Sequence, residues 1–477
     1  MARGGRNAAE KLQGADAMSL LRVLLVVYAF PPAGGVGTLR AASLARYLPA
    51  EGIRLDVLTT RNPASVGTDV SLLQDIPSEV TIHRTVTLDI PFGIKKRIKR
   101  LITGEESPGS RALGTHQASK PSFMKRVLQD LLLPDPQVTW LPVLTRAARR
   151  IVRERETQLV MITGAPFSAF LLIERLRREF PQLAIVADFR DEWLISQFEY
   201  GSFQFSSSER ARSFAASAEA RAVANATAVV TVNKATLDVM RERYPKEPPD
   251  KFHLIPNGYD ATRVHRSPSS GVPRRDGKIL ITHTGTLYAA TDPTWFIEAL
   301  QSLPPDVKSR IKLRFIGHID EPRYCDALLQ LGEMVELVGY MPQRDALTAM
   351  SETDFVLMIG HDRLNIQGKF YDYVGAGKPI LACLHPAGDI RRLLEEMRAG
   401  WWADGRDVES IRRLIVDAAD RGHSLLNAFR PDTEKIARYE RKVLAHRYAR
   451  LLHSVARGQV ERSIDRLAAD RVEKVAK

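Results

Sequence analysis

Residues 354–384 read DFVLMIGHDRLNIQGKFYDYVGAGKPILACL and contain the clearest structural pattern of the chain. The apolar runs DFVLMIG and PILACL have the length and composition of buried strands. Between them, an amphipathic run begins at Lys369 and stops before Gly377 and Pro379, residues typical of a helix end. A strand, a helix and a second strand in this order predict one βαβ unit of a parallel sheet.

The same alternation extends over most of the chain. Strands are predicted at RVLLVVYAF, RLDVLT, LVMIT, LAIVADF, AVVTV and FHLIP before residue 257, and at KILITHTG, KLRFIGH and VELVGY after residue 277. We therefore predict an α/β protein with two doubly wound, Rossmann-like domains at residues 21–260 and 277–430. A linker rich in Pro, Ser, Gly and Arg separates them. Residues 1–20 are expected to form a flexible leader, and residues 431–477 a C-terminal helical segment.

Composition limits the class of protein. A chain of 477 residues with 44% hydrophobic and 26% charged residues is too long for one core, so two globular domains are expected. The formal net charge of +13 favours anionic partners. Two cysteines are too few for a disulfide framework and suit a reducing compartment, so we predict a cytoplasmic protein. The scattered histidines have no ligand-like spacing, so no metal site is expected.

Membrane association, if it occurs, is expected to be peripheral. No run reaches the roughly 18 apolar residues that a membrane span needs. LLRVLLVVYAF is interrupted by Arg22 and lacks a signal-peptide cleavage motif, so we interpret it as the first strand. An irregular insertion at about residues 92–133 contains FGIKKRIKRLI, with apolar and basic residues on opposite helical faces. This pattern fits a helix on an anionic bilayer at the inner face of the cell membrane, and it fits a solvated surface helix equally well.

Lys369 and Asp372 are candidate binding residues at the start of the predicted helix. The helix follows a strand, and ligands of open α/β sheets bind at the carboxyl ends of strands. Free amides at a helix start attract phosphate, and Lys369 adds a full charge. Asp372 lies on the same face, roughly 4.5 Å further along the axis. The pair could hold a nucleotide diphosphate and its ribose, or it could form an ordinary surface ion pair.

Two further loops follow predicted strands. In FPPAGGVGTLR, Gly34, Gly35 and Gly37 allow a close approach of the backbone to a ligand, with the helix starting at Gly37 or Thr38, although a plain structural turn has the same composition. The loop is not a dinucleotide fingerprint. DFRDEW places Arg190, Asp191 and Trp193 at another strand end, which suits a sugar or acceptor site because carboxylates bind sugar hydroxyls and indoles cover apolar sugar faces. Asp188 is expected to be a structural cap.

GKFYDYVGAGKPIL resembles the donor-site motif of the family 4 (group 1) glycosyltransferases. FPPAGGVGTLR, LLLPDPQVTW, ITGAPFSAF, DFRDEW, LIPNGYD and HTGTLY resemble the same family in the same order, from about residue 23 to 400. The resemblance implies the GT-B fold, in which an N-terminal acceptor domain and a C-terminal nucleotide-sugar donor domain face each other across a cleft and a C-terminal helix crosses back. It also implies sugar transfer from a nucleotide-diphosphate-sugar co-substrate with retention of configuration, without a cofactor or metal.

The resemblance also implies roles for individual residues. The expected catalytic residues are Asp191, Arg190 and Lys369. The expected donor-binding residues are Gly34, Gly35, Arg40, Gly285, Thr286, Lys369, Phe370 and Asp372.

The sequence departs from the family pattern at three places. Leu364 stands where many members have the first Glu of a Glu-x7-Glu signature, so the usual contact to the donor sugar is in doubt. The loop GAPFSAF has no histidine where many members have one. The Arg and Lys often found after the first strand of the C-terminal domain are absent, which leaves Lys369 as the main expected phosphate cation. His283 and His318 end strands of the second domain, where either could reach the cleft, although isolated histidines are more often structural.

The predicted partners are a nucleotide-sugar donor, a glycan or lipid-linked acceptor and an anionic membrane surface. A catalytically impaired binding protein and a nucleotide-sugar epimerase remain as alternative functions. A nucleic-acid partner is not expected, because the basic residues lack interleaved aromatic residues and a reading module.

Overall fold

The computed structural model describes residues 20–63, 68–87, 130–198, 208–264, 277–288 and 291–475, the last of these beyond residue 459 by backbone only. Within these residues the strands form two parallel sheets. The strands are β1 (Leu21–Val26), β2 (Ile53–Thr60), β3 (Thr81–Thr85), β4 (Leu159–Gly164), β5 (Ala184–Phe189), β6 (Ala228–Thr231), β7 (Phe252–Leu254), β8 (Ile279–Thr284), β9 (Ile311–Ile316), β10 (Val335–Gly339), β11 (Phe355–Gly360), β12 (Ile380–Leu384) and β13 (Gly400–Asp404).

Helices cover both faces of each sheet. Their bounds are α1 (Val36–Tyr47), α2 (Ser71–Gln74), α3 (Leu141–Glu154), α4 (Leu171–Glu179), α5 (Leu194–Phe198), α6 (Glu209–Asn225), α7 (Lys234–Arg243), α8 (Thr294–Gln301), α9 (Pro305–Ser309), α10 (Pro322–Leu329), α11 (Gln343–Ser351), α12 (Gly368–Ala376), α13 (Asp389–Glu396), α14 (Val408–Ala428), α15 (Thr433–Ala437) and α16 (Arg441–Val475).

The strand orders are those of doubly wound sheets. The first sheet runs β3-β2-β1-β4-β5-β6-β7 and the second runs β10-β9-β8-β11-β12-β13. The α/β prediction of two Rossmann-like sheets is confirmed. Every predicted strand forms, and two further strands, β3 and β13, were not predicted. Both are edge strands with mostly half-buried residues, so neither has the continuous apolar run of an interior strand.

Strand β1 shows how the cores arise. Leu24 and Val26 pack under α3, α4 and α6, while Val23 and Leu25 face the core that α1 and α16 cover. Successive side chains of a strand point to opposite faces, so an apolar run on a central strand serves two cores at once. The second sheet follows the same rule, with α8 and α14 on one face and α12 and α13 on the other.

The chain passes between the two lobes at two neighbouring places. After β7 it enters the second lobe at Tyr259, whose ring packs in that lobe's core. The Tyr259 amide donates to the Tyr439 carbonyl at 3.1 Å, and the Arg441 amide donates back to the Tyr259 carbonyl at 2.9 Å. Helix α16 then returns to the first lobe, where Leu444, Tyr448 and other residues join its core. The predicted crossing of the C-terminal helix is therefore confirmed.

Two predictions concern segments that the structure describes only in part. Most of the leader at 1–20, the basic insertion at 92–133 and the linker lie outside the described residues, so the bilayer-binding hypothesis stays a prediction. None of the helices among the described residues has the length and apolar character needed to cross a membrane.

Candidate functional site

A cleft of about 1090 Å³ lies between the two lobes. Its walls include the loops that follow β1, β4 and β5 of the first sheet and β8, β9, β10 and β11 of the second, together with the start of α16. The carboxyl ends of both sheets thus face each other across it, which is where open α/β sheets bind ligands. Of the residues predicted for the site, Gly34, Gly35, Arg40, Arg190, Asp191, Gly285, Thr286, Lys369 and Asp372 line this cleft.

The glycine-rich loop after β1 ends at the first turn of α1. Gly34 and Gly35 line the cleft, and Gly35 takes φ +99°, a conformation that favours glycine. Gly35 is also the N-cap of α1, so the helix begins at Val36, earlier than the predicted Gly37 or Thr38. The loop therefore presents bare backbone and a helix N-terminus to the cleft.

Lys369 lies in the first turn of α12 and reaches the end of β8. Its Nζ donates to His283 Nε2 at 3.0 Å. Within the described residues Lys369 forms no ion pair with a carboxylate. Burial lowers the pKa of Lys369 to about 7. The cleft thus contains a lysine amine whose charge is not neutralised by any carboxylate in the described part of the chain.

The surroundings of Gly285 keep this amine accessible. Gly285 follows β8 at φ +100°, and a Cβ built on it would lie 3.5 Å from Lys369 Nζ. A larger side chain here would be strained and would cover the amine. The end of β8 is itself fixed by α12, because the Thr284 amide donates to the Tyr373 hydroxyl at 2.9 Å.

Asp372 lies one turn along α12 and also lines the cleft. Gln343 Nε2 donates to its Oδ2 at 3.3 Å. Burial raises the pKa of Asp372 to about 6, and the charge of Arg441 opposes this rise. Arg441 is the first residue of α16; its Nε donates to the Gly258 carbonyl at 3.0 Å. A carboxylate and a guanidinium that interact electrostatically thus both line the cleft.

The loop after β5 contributes Arg190 and Asp191. The Arg190 guanidinium donates to the carbonyls of Gly37, Ala165 and Gly164, the last at 2.9 Å, and so joins three loops of the first lobe. Asp191 lines the cleft, and burial raises the pKa of its carboxyl group. Trp193, expected at this rim, is instead fully buried and stacks on Phe167 with ring centroids 4.8 Å apart.

Two of the predicted donor-binding residues take other positions. Phe370 is fully buried in the core beneath α12 and does not line the cleft, because the helix turns it away from Lys369. Arg40 borders the cleft, but its donors are taken by the protein: by Asp188 at 2.9 and 3.1 Å, by the carbonyls of Ile255 and Pro256, by Asn257 and by the Tyr448 hydroxyl. Asp188, expected to be a cap, is therefore the buried partner of an ion pair.

Removing this ion pair is expected to destabilise the first lobe. Asp188 is 0% exposed and Arg40 is 8% exposed, so Asp188→Ala leaves a buried guanidinium without its counter-ion. Such a loss typically costs about 3–5 kcal/mol, or roughly 6–20 °C in melting midpoint. The matched control is Glu156→Ala, which removes an exposed partner of Arg22 and should lower the midpoint by at most about 4 °C. If calorimetry gave equal melting midpoints for Asp188→Ala and Glu156→Ala, the stabilising role of the Arg40–Asp188 ion pair would be contradicted.

Leu364, at the position of the absent glutamate, does not face the cleft. It is buried, and its carbonyl accepts a hydrogen bond from Asn233 Nδ2 of the first lobe at 2.5 Å. Nearby, the Ala235 amide donates to Asp389 Oδ2 at 3.0 Å. This part of the β11–α12 loop therefore joins the lobes.

Three functional candidates in the cleft were not assigned to the site from the sequence. His283 ends a strand from which it could reach the cleft but was expected to be structural, Arg441 lies in a segment without a motif, and Asp135 belongs to LLLPDPQVTW, which only the family resemblance singled out. Asp135 lines the cleft; its Oδ2 accepts from the Ser168 amide at 2.9 Å, and burial raises its pKa to about 6. Only the Pro-Asp-Pro sequence within LLLPDPQVTW could have indicated Asp135.

The described residues contain no group of three or more His, Cys, Asp or Glu side chains placed to hold a metal ion. The expectation that the reaction needs no metal stays a prediction.

Residues 34–258 match the family model of the glycosyl transferase 4-like domain. The match covers the glycine-rich loop, the loop after β5 and the strands of the first sheet from β2 onwards. No curated protein sequence matches the chain.

Solved structures resemble the chain over both lobes. Sucrose-phosphate synthase from Thermosynechococcus elongatus is 14% identical, covers 91% of this chain and 99% of its own, and has a TM-score of 0.60. Anabaena HepE, solved with UDP and glucose, is 14% identical, covers 91% of this chain and 100% of its own, and has a TM-score of 0.59. WaaG, a glycosyltransferase involved in lipopolysaccharide biosynthesis, is 14% identical, covers 91% of this chain and 98% of its own, and has a TM-score of 0.53. At these identities the likeness shows the fold.

Proposed function

We propose that this family 4 glycosyltransferase of the GT-B fold transfers a sugar from a nucleotide-diphosphate donor to an acceptor hydroxyl. One observation carries the proposal. A lysine amine without a carboxylate partner among the described residues and a carboxylate one helical turn away line the same cleft between the lobes. A diphosphate would supply the missing negative charge at Lys369, and ribose hydroxyls would donate to Asp372.

The structural neighbours support this choice of ligand. HepE, which shares the fold, was solved with UDP and glucose. WaaG is a glycosyltransferase, and sucrose-phosphate synthase is named for its sugar product. We propose a nucleotide-sugar donor for this chain as well, because Lys369 and Asp372 line its cleft in the order in which a diphosphate and its ribose would contact them.

The donor would occupy the second lobe. Lys369 and the amides at the N-terminus of α12 would stabilise the charge that develops on the departing diphosphate. The bond between the sugar C1 and the phosphate oxygen breaks while a bond from the acceptor oxygen to C1 forms. In a retaining transfer the departing diphosphate oxygen takes the acceptor proton on the same face of the sugar. This chemistry needs no separate protein base.

The acceptor would approach from the first lobe. Asp191 would bind a hydroxyl of a sugar ring, and Arg190 would hold the loops around it in place. We propose a glycan or lipid-linked acceptor, as in the synthesis of cell-envelope polysaccharides. The basic segment at 92–133 would bring the enzyme to an anionic membrane surface from the cytoplasmic side.

A thermal-shift panel of UDP, GDP, ADP and their sugars tests the donor assignment. One nucleotide series should raise the melting midpoint, since a ligand at about 100 times its Kd adds about 2.7 kcal/mol of stability. No shift with any member at saturation would contradict the proposal.

Radiolabelled donor then separates the alternatives. Label that moves into membrane extract indicates a transferase. Conversion of the donor sugar without an acceptor would indicate an epimerase, and binding without turnover would indicate an impaired binding protein.

A further inference from the structure

We propose that His283 is a positioning residue that acts through Lys369: its imidazole holds the lysine amine at the end of β8, ready for the diphosphate of the donor. This inference rests on the proposed function, and it adds a residue that no motif of the chain indicates. Two hydrogen bonds and the burial of the imidazole carry it.

The hydrogen bonds of His283 determine its tautomer. The ring is 1% exposed, and Nδ1 lies 3.1 Å from the carbonyl oxygen of Leu357 on the neighbouring strand β11. A carbonyl can only accept, so Nδ1 carries the proton and Nε2 has a free lone pair. Lys369 Nζ lies 3.0 Å from Nε2 and is the donor. The backbone of β11 thus fixes the ring, and the ring fixes the amine.

This arrangement orients the remaining N–H bonds of Lys369. An ammonium group has three donors, and His283 uses one of them. Gly285, which has no side chain, leaves the other side of the amine uncovered toward the cleft. A lysine side chain is otherwise flexible and loses rotamer entropy when a ligand orders it. Holding the amine in advance reduces that loss and strengthens donor binding.

The charged groups around Lys369 leave His283 as its direct partner. Asp372 lies on the same helix, but it accepts from Gln343 and is close to Arg441. Asp191 approaches the cleft from the first lobe, where burial raises the pKa of its carboxyl group and the charge of Arg190 opposes this rise. No carboxylate of the described residues lies within 4.0 Å of the Lys369 amine. A neutral acceptor orients the amine without cancelling its charge, whereas a carboxylate would compete with the diphosphate.

The protonation of the pair gives the proposal a measurable signature. Burial lowers the pKa of Lys369 to about 7 and that of His283 well below its usual value. The free enzyme is therefore partly deprotonated at Lys369 near neutral pH, and a bound diphosphate raises the pKa of the amine. As pH rises through about 7, donor affinity should fall. The His283 lone pair favours the ammonium, so removing it should move this fall to lower pH.

Two substitutions separate positioning from packing. His283→Met removes the acceptor at similar volume, while His283→Gln can place an amide oxygen near the position of Nε2. The Kd of the sugar nucleotide identified by the thermal-shift panel is measured by calorimetry from pH 6 to 9. His283→Met should weaken binding by about 10-fold or more and shift its alkaline limb to lower pH, since hydrogen bonds to charged groups are among the stronger ones. His283→Gln should restore most of the donor affinity and most of the wild-type pH profile.

A double-mutant cycle with Lys369→Met completes the test. If His283 acts through Lys369, His283→Met should cause almost no further loss of affinity when Lys369 is already methionine. An equal loss in both backgrounds, or an unchanged pH profile in His283→Met, would overturn the role of His283 while leaving the donor assignment intact. Failure of the wild-type protein to bind any sugar nucleotide would overturn the proposed function and this role together.

Discussion

Lys369→Met is expected to lower kcat/KM for the nucleotide-sugar donor by about 10²- to 10³-fold, the usual cost of removing one preorganised donor to a developing negative charge. The amine is the one lysine charge that α12 presents to the cleft, and it has no carboxylate partner among the described residues. Steady-state transfer of radiolabelled sugar measures the loss. A variant with donor turnover close to wild type would contradict the assignment.

The same substitution should raise the melting midpoint of the ligand-free protein. Burial disfavours the lysine charge, as its lowered pKa shows, and methionine removes this penalty at similar volume; the penalty outweighs the single acceptor, His283 Nε2, that the substitution leaves without a donor. The matched control is Lys378→Met. Lys378 is 1% exposed and donates to the carbonyls of Ser351 and Thr353 away from the cleft. Its loss leaves those carbonyls unsatisfied, so the control should melt lower and keep its donor affinity.

Asp372→Asn is expected to weaken donor binding by about 10- to 100-fold, because a hydrogen bond from ribose to a carboxylate is worth about 1.5–3 kcal/mol. The carboxylate lies in the cleft beside Gln343 and Arg441, so its charge is available to a vicinal diol. The variant should also lose part of the preference for a nucleotide over its 2′-deoxy form. Calorimetric Kd values for both forms measure this preference.

The pH dependence of Asp372 gives an independent check. Its pKa is raised to about 6 by burial, so the wild-type carboxylate is ionised above pH 6 and takes up a proton below it. Donor affinity should therefore fall as pH drops through about 6, and Asp372→Asn should lack this acid limb. Asp326→Asn, an exposed change on α10, serves as the control and should bind like wild type. An acid limb retained in Asp372→Asn would assign it to another group.

The βαβ unit at 354–384 was predictable almost residue by residue. Helix α12 spans Gly368–Ala376 and ends at Gly377 with φ +69°, as the glycine and Pro379 indicated. Apolar runs on interior strands and glycine at a left-handed cap are local requirements, so the sequence shows them directly. The edge strands β3 and β13 escaped prediction because most of their residues are only half-buried, so neither has a continuous apolar run.

The candidate site was predictable only in part. Strand ends and helix starts placed Lys369, Asp372 and Asp191 on the same sheet edge of their lobes, and the resemblance to the family paired those edges across a cleft. The sequence did not show that the donors of Arg40 are occupied or that Phe370 is buried. The guanidinium of Arg40 is occupied by hydrogen-bond partners that lie about 150 to 400 residues away in the chain. The side chain of Phe370 is buried although it is rotated by only about 100° around the helix axis from that of Lys369.

By itself, the sequence determined two parallel sheets, the loops at their carboxyl ends and the cation and carboxylate of α12, because periodicity, caps and glycine positions act over a few residues. The tertiary structure alone decided which side chains remain available to a ligand. His283 meets Lys369 across 86 positions of sequence, and α16 brings Arg441 to Asp372 only after crossing between the lobes. Such pairings depend on strand register and lobe contacts, whose energies are spread over many residues and leave no local pattern in the chain.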